Sequence, residues 1–278
     1  MKNLKKLALA AHKKYRGKLN VEVGVPLKTR RDVSVFYTPG VAEPCKEIAK
    51  NSAAVYDYTW KGRLVAVITE GSAVLGLGNI GGLAGLPVME GKCALFKQFG
   101  GLDAIPICLN VQEVEEVIRV VRAIAPSFGA INLEDIAAPA CFEIEKRLVE
   151  ELDIPVFHDD QHGTAIVCLA GMINALKVVG KSCEKARVVI NGAGAAGIAI
   201  AKLFLKYGFK NILLIDSRGL IYDGRDNLNP YKKEMAKITN KEKVKGGLVD
   251  ALRGADAFIG VSGQSGIVSR MMVRSMAK

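Results

Sequence analysis

The chain has 278 residues, 50% of them hydrophobic and 24% charged, which gives room for two ordinary domains and excludes disorder. Its formal charge of +11 invites a nucleic-acid partner, but RNP-like motifs, zinc-finger spacing and a helix-turn-helix signature are missing, and aromatics are only 6%. A basic field also steers anionic substrates such as dicarboxylates and dinucleotides into a cleft, and that reading is preferred here.

Along the chain, MKNLKKLALAAHKKYRGK starts like a signal peptide, yet its apolar stretch Leu7–Ala11 is short and runs into His12, Lys13 and Lys14. No apolar run approaches the ~20 residues that span a bilayer, so a cytoplasmic protein without a membrane partner is expected. Leu4, Leu7, Ala8 and Ala11 form an apolar stripe at helical spacing, suited to packing within the subunit or on a second one. GVPLKTRRDVSVFYTPGVAEPC reads as a loop, with a helix from Glu43.

From Leu64 strands and helices alternate. Strands are expected at 64–68, 104–109, 130–134 and 154–158, and helices at 83–99, 112–125 and 140–152. This alternation predicts an α/β fold with a mostly parallel sheet. A long helix over 163–180 leads into a second βαβ unit, with strands at 187–192, 211–216 and 256–261. The boundary is placed at 162, giving an N-terminal sheet domain (1–162) and a Rossmann-type nucleotide-binding domain (163–278). The six cysteines contain no CxxC pair and read as buried thiols rather than a disulfide framework.

The strand VVIN runs into Gly192-Ala193-Gly194-Ala195-Ala196-Gly197, a helix follows, and Asp216 closes the next strand 19 residues after Gly197. A lone GxGxxG is weak evidence; this context makes it a dinucleotide fingerprint. Gly192 allows the tight turn, Gly194 the approach of the pyrophosphate, and Gly197 close helix–strand packing, with Ala195 and Ala196 opening the helix that faces the phosphates. Asp216 is expected to accept from the adenosine ribose hydroxyls, favouring NAD, while Arg218 could pair with a 2′-phosphate and admit NADP. Ser262, just past the last strand, joins this cofactor-binding set. A second match, Gly76 to Gly81, has no acid closing a following strand and reads as a tight loop lining the cleft.

Two strands end in paired acids, Glu134-Asp135 and Asp159-Asp160. Ligands gather beyond the carboxyl ends of strands in open α/β sheets, so the pairs are expected to converge. Hard oxygen ligands suit Mg²⁺ or Mn²⁺. Each pair could instead cap a helix, and Asp160 before Gly163-Thr164 fits that job; two pairs at equivalent places favour the cation. His158 and His162 stand four apart, but a strand end turning into a helix breaks the geometry an imidazole zinc site needs.

Together SVFYTPGVAEPC (34–45), the segments 73–107, 131–145 and 154–167, and VVINGAGAAGIAIAKL (188–203) resemble the malic enzymes, especially the smaller bacterial and archaeal type. The resemblance implies NAD(P)-dependent oxidation and decarboxylation of malate to pyruvate by a metal-dependent enzyme, and the apolar N-terminal stripe leads us to expect a homodimer. It implies that Lys92 is the general base, Tyr37 the acid that protonates C3 of the enol, and Asp159 the acid that holds the lysine. Glu134, Asp135 and Asp160 would be the metal ligands. Ser72 stands where larger members carry a substrate-binding arginine, and Asn110 where the family usually has an acid. The chain stops at Lys278, so the Rossmann domain reads as partial, missing the asparagine-proline segment that the family places near nicotinamide and substrate. The alternatives are a non-oxidative oxaloacetate decarboxylase and an inactive nucleotide-binding or dimerisation scaffold; cofactor-dependent turnover separates the three.

Overall fold

A computed structural model describes residues 2–277, and contacts divide the chain into two units that interleave along the sequence. The first takes the chain up to Gly71, then Ile80–Asn132 and Leu148–Val156. The second takes Ser72–Asn79, Leu133–Arg147 and the chain from Phe157 onward. The expected boundary at 162 falls five residues into that last stretch.

The chain starts with α1 (Lys2–Tyr15), then α2 (Arg30–Phe36), α3 (Ala42–Lys50) and α4 (Val55–Tyr58). Helix α2 lies in the stretch read from sequence as loop. A capping box explains it: Asp32 N donates to Thr29 Oγ1 at 3.1 Å and Thr29 N donates to Asp32 Oδ2 at 2.8 Å. Next come β1 (Leu64–Thr69), α5 (Gly81–Gly100), β2 (Asp103–Cys108), α6 (Val114–Ile124), β3 (Ala130–Leu133), α7 (Ala140–Glu151) and β4 (Val156–His158). The sheet order is β2-β1-β3-β4, with β1 and β2 parallel.

All six residues of β1 are buried, and Met89 and Cys93 on α5 pack one turn apart against Val65 and Val67. Each such aliphatic contributes roughly 1.5–3 kcal/mol by leaving water. Lys92 lies on the flank of that apolar stripe, half-buried. Lys61, buried before β1, donates to the carbonyls of Ala125, Pro126 and Phe128 and so fastens the turn that feeds β3. Burial lowers its pKa, and the three carbonyls stand in for lost water.

Helix α8 (Asp159–Val179) starts four residues earlier than expected, with His158 as its N-cap residue. Asp159 and Asp160 therefore sit inside the first turn, where the helix dipole favours acids, and the N-cap position belongs to His158. By length and composition α8 is apolar enough to cross a membrane, yet it opens on two acids and packs against α9 (Ala195–Tyr207). The nucleotide-type sheet follows: β5 (Arg187–Asn191), β6 (Asn211–Asp216), β7 (Gly219–Leu220), α10 (Pro230–Ile238), α11 (Leu248–Leu252), β8 (Ala257–Gly260) and α12 (Arg270–Ser275). Its order is β7-β6-β5-β8, with β6 and β8 parallel to β5 and β7 antiparallel to β6. This is a Rossmann-type βαβ arrangement around Val189, Leu213, Ile215, Leu220 and Leu252. None of the six cysteines is in a disulfide; Cys93 and Cys141 are buried, Cys45 is exposed, and the other three lie between.

Candidate functional site

Strand β3 ends at Leu133, and Glu134 and Asp135 follow it; β4 ends at His158, and Asp160 follows in the first turn of α8. Of the two acid pairs expected to converge, Glu134, Asp135 and Asp160 come together. The Asp135 amide donates to Asp160 Oδ2 at 2.9 Å, tying the strand ends together. Among the described residues, Glu134, Asp135 and Asp160 each offer a carboxylate oxygen within 4.8 Å of the others, close enough to share a metal ion. Glu134 and Asp135 are only 5% and 4% exposed. Two buried carboxylates beside a third repel one another strongly in a low-dielectric place. A hard divalent cation fits this set of three oxygen donors.

Asp135 has φ +54°, a left-handed backbone that costs a non-glycine residue roughly 1–2 kcal/mol. Such a residue persists where its surroundings over-determine it. Here the Asp135 amide is held by Asp160, its carbonyl accepts from Ala73 N at 2.9 Å, and Ala137 N donates to Ser72 Oγ at 2.8 Å.

Two histidines flank the second acid pair, and His158 Nε2 lies 3.5 Å from Asp160 Oδ2. His158 is fully buried, and burial pushes its imidazole toward the neutral form. His162 Nε2 meets Glu145 Oε1 at 2.8 Å, which raises its pKa. Asp159, beside Asp160, folds its carboxylate over Gly163, where a Cβ would collide with it.

Beyond β5 the chain turns through Gly192 at φ +123°, and a Cβ there would meet the Val261 carbonyl at 2.5 Å. Gly194 is the N-cap residue of α9, which Ala195 and Ala196 open. A Cβ on Gly197 would collide with the Gly192 carbonyl, so glycine is needed there for the helix to lie against the turn. A cavity of about 710 Å³ opens beside this loop, lined by Gly192, Gly194, Asp216, Lys232 and Ser262 among others. Asn191 Nδ2 donates to Ser262 Oγ at 3.0 Å, which fixes Ser262 at the cavity wall. Glycine cradle, helix N-terminus and cavity together fit a dinucleotide pyrophosphate.

Asp216 differs from its expected surroundings. Its side chain is 7% exposed, and Oδ2 accepts from Arg225 Nη2 at 2.7 Å and from Lys232 Nζ at 2.8 Å. Oδ1 accepts from the backbone of Arg218 at 2.9 Å, whereas the Arg218 residue itself stands exposed. Burial alone would raise this carboxyl, but hydrogen bonds from Arg225, Lys232 and the Arg218 amide outweigh it and hold the pKa down at about 2. Sequence reasoning missed Arg225 and Lys232. Asn229-Pro230, an N-cap followed by proline at N1, was the available signal: it starts α10 and places Lys232 in the first turn, where Lys232 N donates to Asn229 Oδ1.

Lys92 and Tyr37 belong to the first unit, Lys92 half-buried on α5 and Tyr37 69% exposed at the C-cap of α2.

Comparison with known proteins assigns both parts of the chain. Residues 16–149 match the family model for the malic enzyme N-terminal domain, and 161–278 match that for the malic enzyme NAD binding domain. The bifunctional malic/malolactic enzyme of Bacillus subtilis (strain 168) is 55% identical over 277 residues, which is 99% of this chain and 67% of that protein. The NAD-dependent malic enzyme of Geobacillus stearothermophilus is 55% identical over 94% of this chain and 55% of its own length. The crystal structure of the NAD-dependent malic enzyme from Thermotoga maritima superposes with a TM-score of 0.94 at 48% identity, covering 98% of this chain and 72% of that one. The chain thus spans two thirds or less of the curated relatives it matches.

Proposed function

The chain belongs to the malic enzyme family, and from that premise we propose that it oxidises and decarboxylates malate to pyruvate and CO₂ in the cytoplasm, using NAD(P) and Mg²⁺ or Mn²⁺. The observation that carries this reading is one compact unit bearing both a three-carboxylate cluster and a dinucleotide cradle. When bound, the nicotinamide accepts the C2 hydride, and the divalent cation polarises the C2 oxygen and steadies the negative charge that decarboxylation leaves. The chain supplies the rest. Glu134, Asp135 and Asp160 would hold the cation that a 2-hydroxy acid chelates. Lys92 removes the proton from the C2 hydroxyl, with Asp159 as its partner acid, and Tyr37 delivers a proton to C3 of the enol. These three roles rest on the resemblance. Malate with Mn²⁺ and NAD or NADP should yield reduced nucleotide and pyruvate in equal amounts. CO₂ from oxaloacetate without nucleotide turnover would favour a plain decarboxylase instead, and nucleotide binding with no turnover a scaffold.

Both nucleotides fit the adenosine end. Asp216 alone would repel a 2′-phosphate, but Arg225 and Lys232 offset its charge and leave the trio net positive. NAD, the expected cofactor, therefore shares the site with NADP. A hydrogen bond to a charged group is worth about 1.5–3 kcal/mol, or roughly 10- to 100-fold. Lys232→Gln should lower kcat/KM for NADP by that factor against NAD, because it removes a cation and leaves Asp216 less compensated. An unchanged NADP/NAD ratio would leave Lys232 only a structural partner of Asp216.

We further propose that the enzyme works as a homodimer. On the single chain Leu4, Leu7 and Leu9 of α1 are 68%, 63% and 75% exposed, and Tyr37 stands in the open. A proton donor to a water-sensitive enol needs cover, and a second copy seated on this apolar segment would supply it.

A further inference from the structure

We infer that Ser72 is a positioning residue for the metal ligands, acting through the backbone turn that carries Glu134 and Asp135; this rests on the cation site proposed above. The Ser72 hydroxyl serves the protein's own backbone. Ser72 Oγ accepts from Ala137 N at 2.8 Å, and the adjacent Ala73 N donates to Asp135 O at 2.9 Å. These two bonds grip the turn on both sides of Ile136, which is itself buried. Asp160 Oδ2 accepts from the Asp135 amide. The left-handed Asp135 is thereby fixed from three directions, and the direction of its carboxylate follows from that backbone setting.

The grip also works in reverse. Residues 72–79 form a glycine-rich loop with positive φ at Gly76 and Gly78 and a single bridge between Val74 and Gly78. Leu75 and Leu77 at its tip are 91% and 67% exposed, while Val74 at its base is buried, at 3%. Its first residues are held by the buried Val74 and by the two bonds of Ser72 and Ala73 to the turn. A cation that tightens the turn should therefore also quiet the loop, through Ser72 and Ala73.

The test compares the wild-type chain with Ser72→Ala and Ser72→Thr, titrating Mn²⁺ by calorimetry and following amide exchange of residues 73–79 and 137 with and without Mn²⁺. Partners that orient a metal's ligands typically change its affinity 10- to 100-fold. Ser72→Ala is expected to weaken Mn²⁺ binding by roughly 10-fold or more and to lose Mn²⁺-dependent protection of the loop amides. Ser72→Thr, which keeps the hydroxyl, should restore both to within a few-fold of wild type. If Ser72→Ala folds poorly, the threonine variant still decides the matter, since weak Mn²⁺ binding in a well-folded Ser72→Thr protein overturns the inference. Equal affinity and equal protection in wild type and Ser72→Ala overturn it as well. A wild-type chain that binds no Mn²⁺ removes the cation site itself, an outcome visible before any variant is read.

Discussion

Asp160→Asn is expected to abolish tight Mn²⁺ binding, with an affinity loss exceeding the roughly 10–100-fold seen when only a supporting partner is removed. The reason lies in how Asp160 is used. Its Oδ2 already accepts the Asp135 amide. An asparagine that keeps this bond must place its carbonyl oxygen there, which turns the NH₂ group toward the other carboxylates. That nitrogen cannot ligate a cation, and one negative charge is gone. Asparagine is otherwise nearly isosteric, so the fold should survive, and calorimetry with Mn²⁺ reads the site directly. Unchanged Mn²⁺ affinity in the variant would show that the three carboxylates do not share an ion.

Lys92→Ala is expected to lower malate oxidation by about 10²–10⁴-fold, the usual worth of a positioned general base. Oxidation needs a base at the C2 hydroxyl, and the end of the reaction needs an acid at C3. The two carbons present their protons at different places, so two groups with separate duties are the simpler arrangement. Tyr37→Phe keeps the ring and deletes only the proton donor. Reduced-nucleotide formation from malate should therefore persist better in Tyr37→Phe than tautomerisation of enolpyruvate supplied directly. Should Tyr37→Phe tautomerise enolpyruvate at the wild-type rate, the acid lies elsewhere. Equal loss of both half-reactions in Lys92→Ala and Tyr37→Phe would contradict the division of labour.

The parts of the fold legible from sequence were those with strong periodicity. LVAVI, AINL and VVIN are continuous apolar runs bounded by turns, and they form β1, β3 and β5 within a residue or two of where they were expected. The start of α8 was misplaced because Asp-Asp reads equally well as a strand-end loop or as the first turn of a helix, and the backbone chose the helix. Helix α2 was missed because its polar residues RRD hide the periodicity, although Thr29 and Asp32 carried the capping signal. The acid pairs could be anticipated because topology delivers strand ends to one edge. The surroundings of Asp216 could not, since Arg225 and Lys232 reach it from 9 and 16 residues downstream, through a turn and a new helix. A pattern defined by glycines carries no information about which cations a later segment brings back. The work of Ser72 was hidden for the same reason: its partner Ala137 is 65 residues away and takes part only through its backbone.

The interleaving of the two units bears on how such a chain could be inherited or cut. Glu134 and Asp135 reach the nucleotide-bearing unit on a loop of chain, Leu133–Arg147, that leaves the first unit and returns to it at Leu148 before the path crosses over for good at Phe157. A break anywhere between Leu148 and Val156 would leave Asp160 and the glycine cradle on one fragment and the other two carboxylates on the other. Recombination or gene fusion at that point would therefore separate the three clustered carboxylates. The chemistry-bearing parts of this protein can be traded between genes only as one continuous stretch that starts upstream of Ser72.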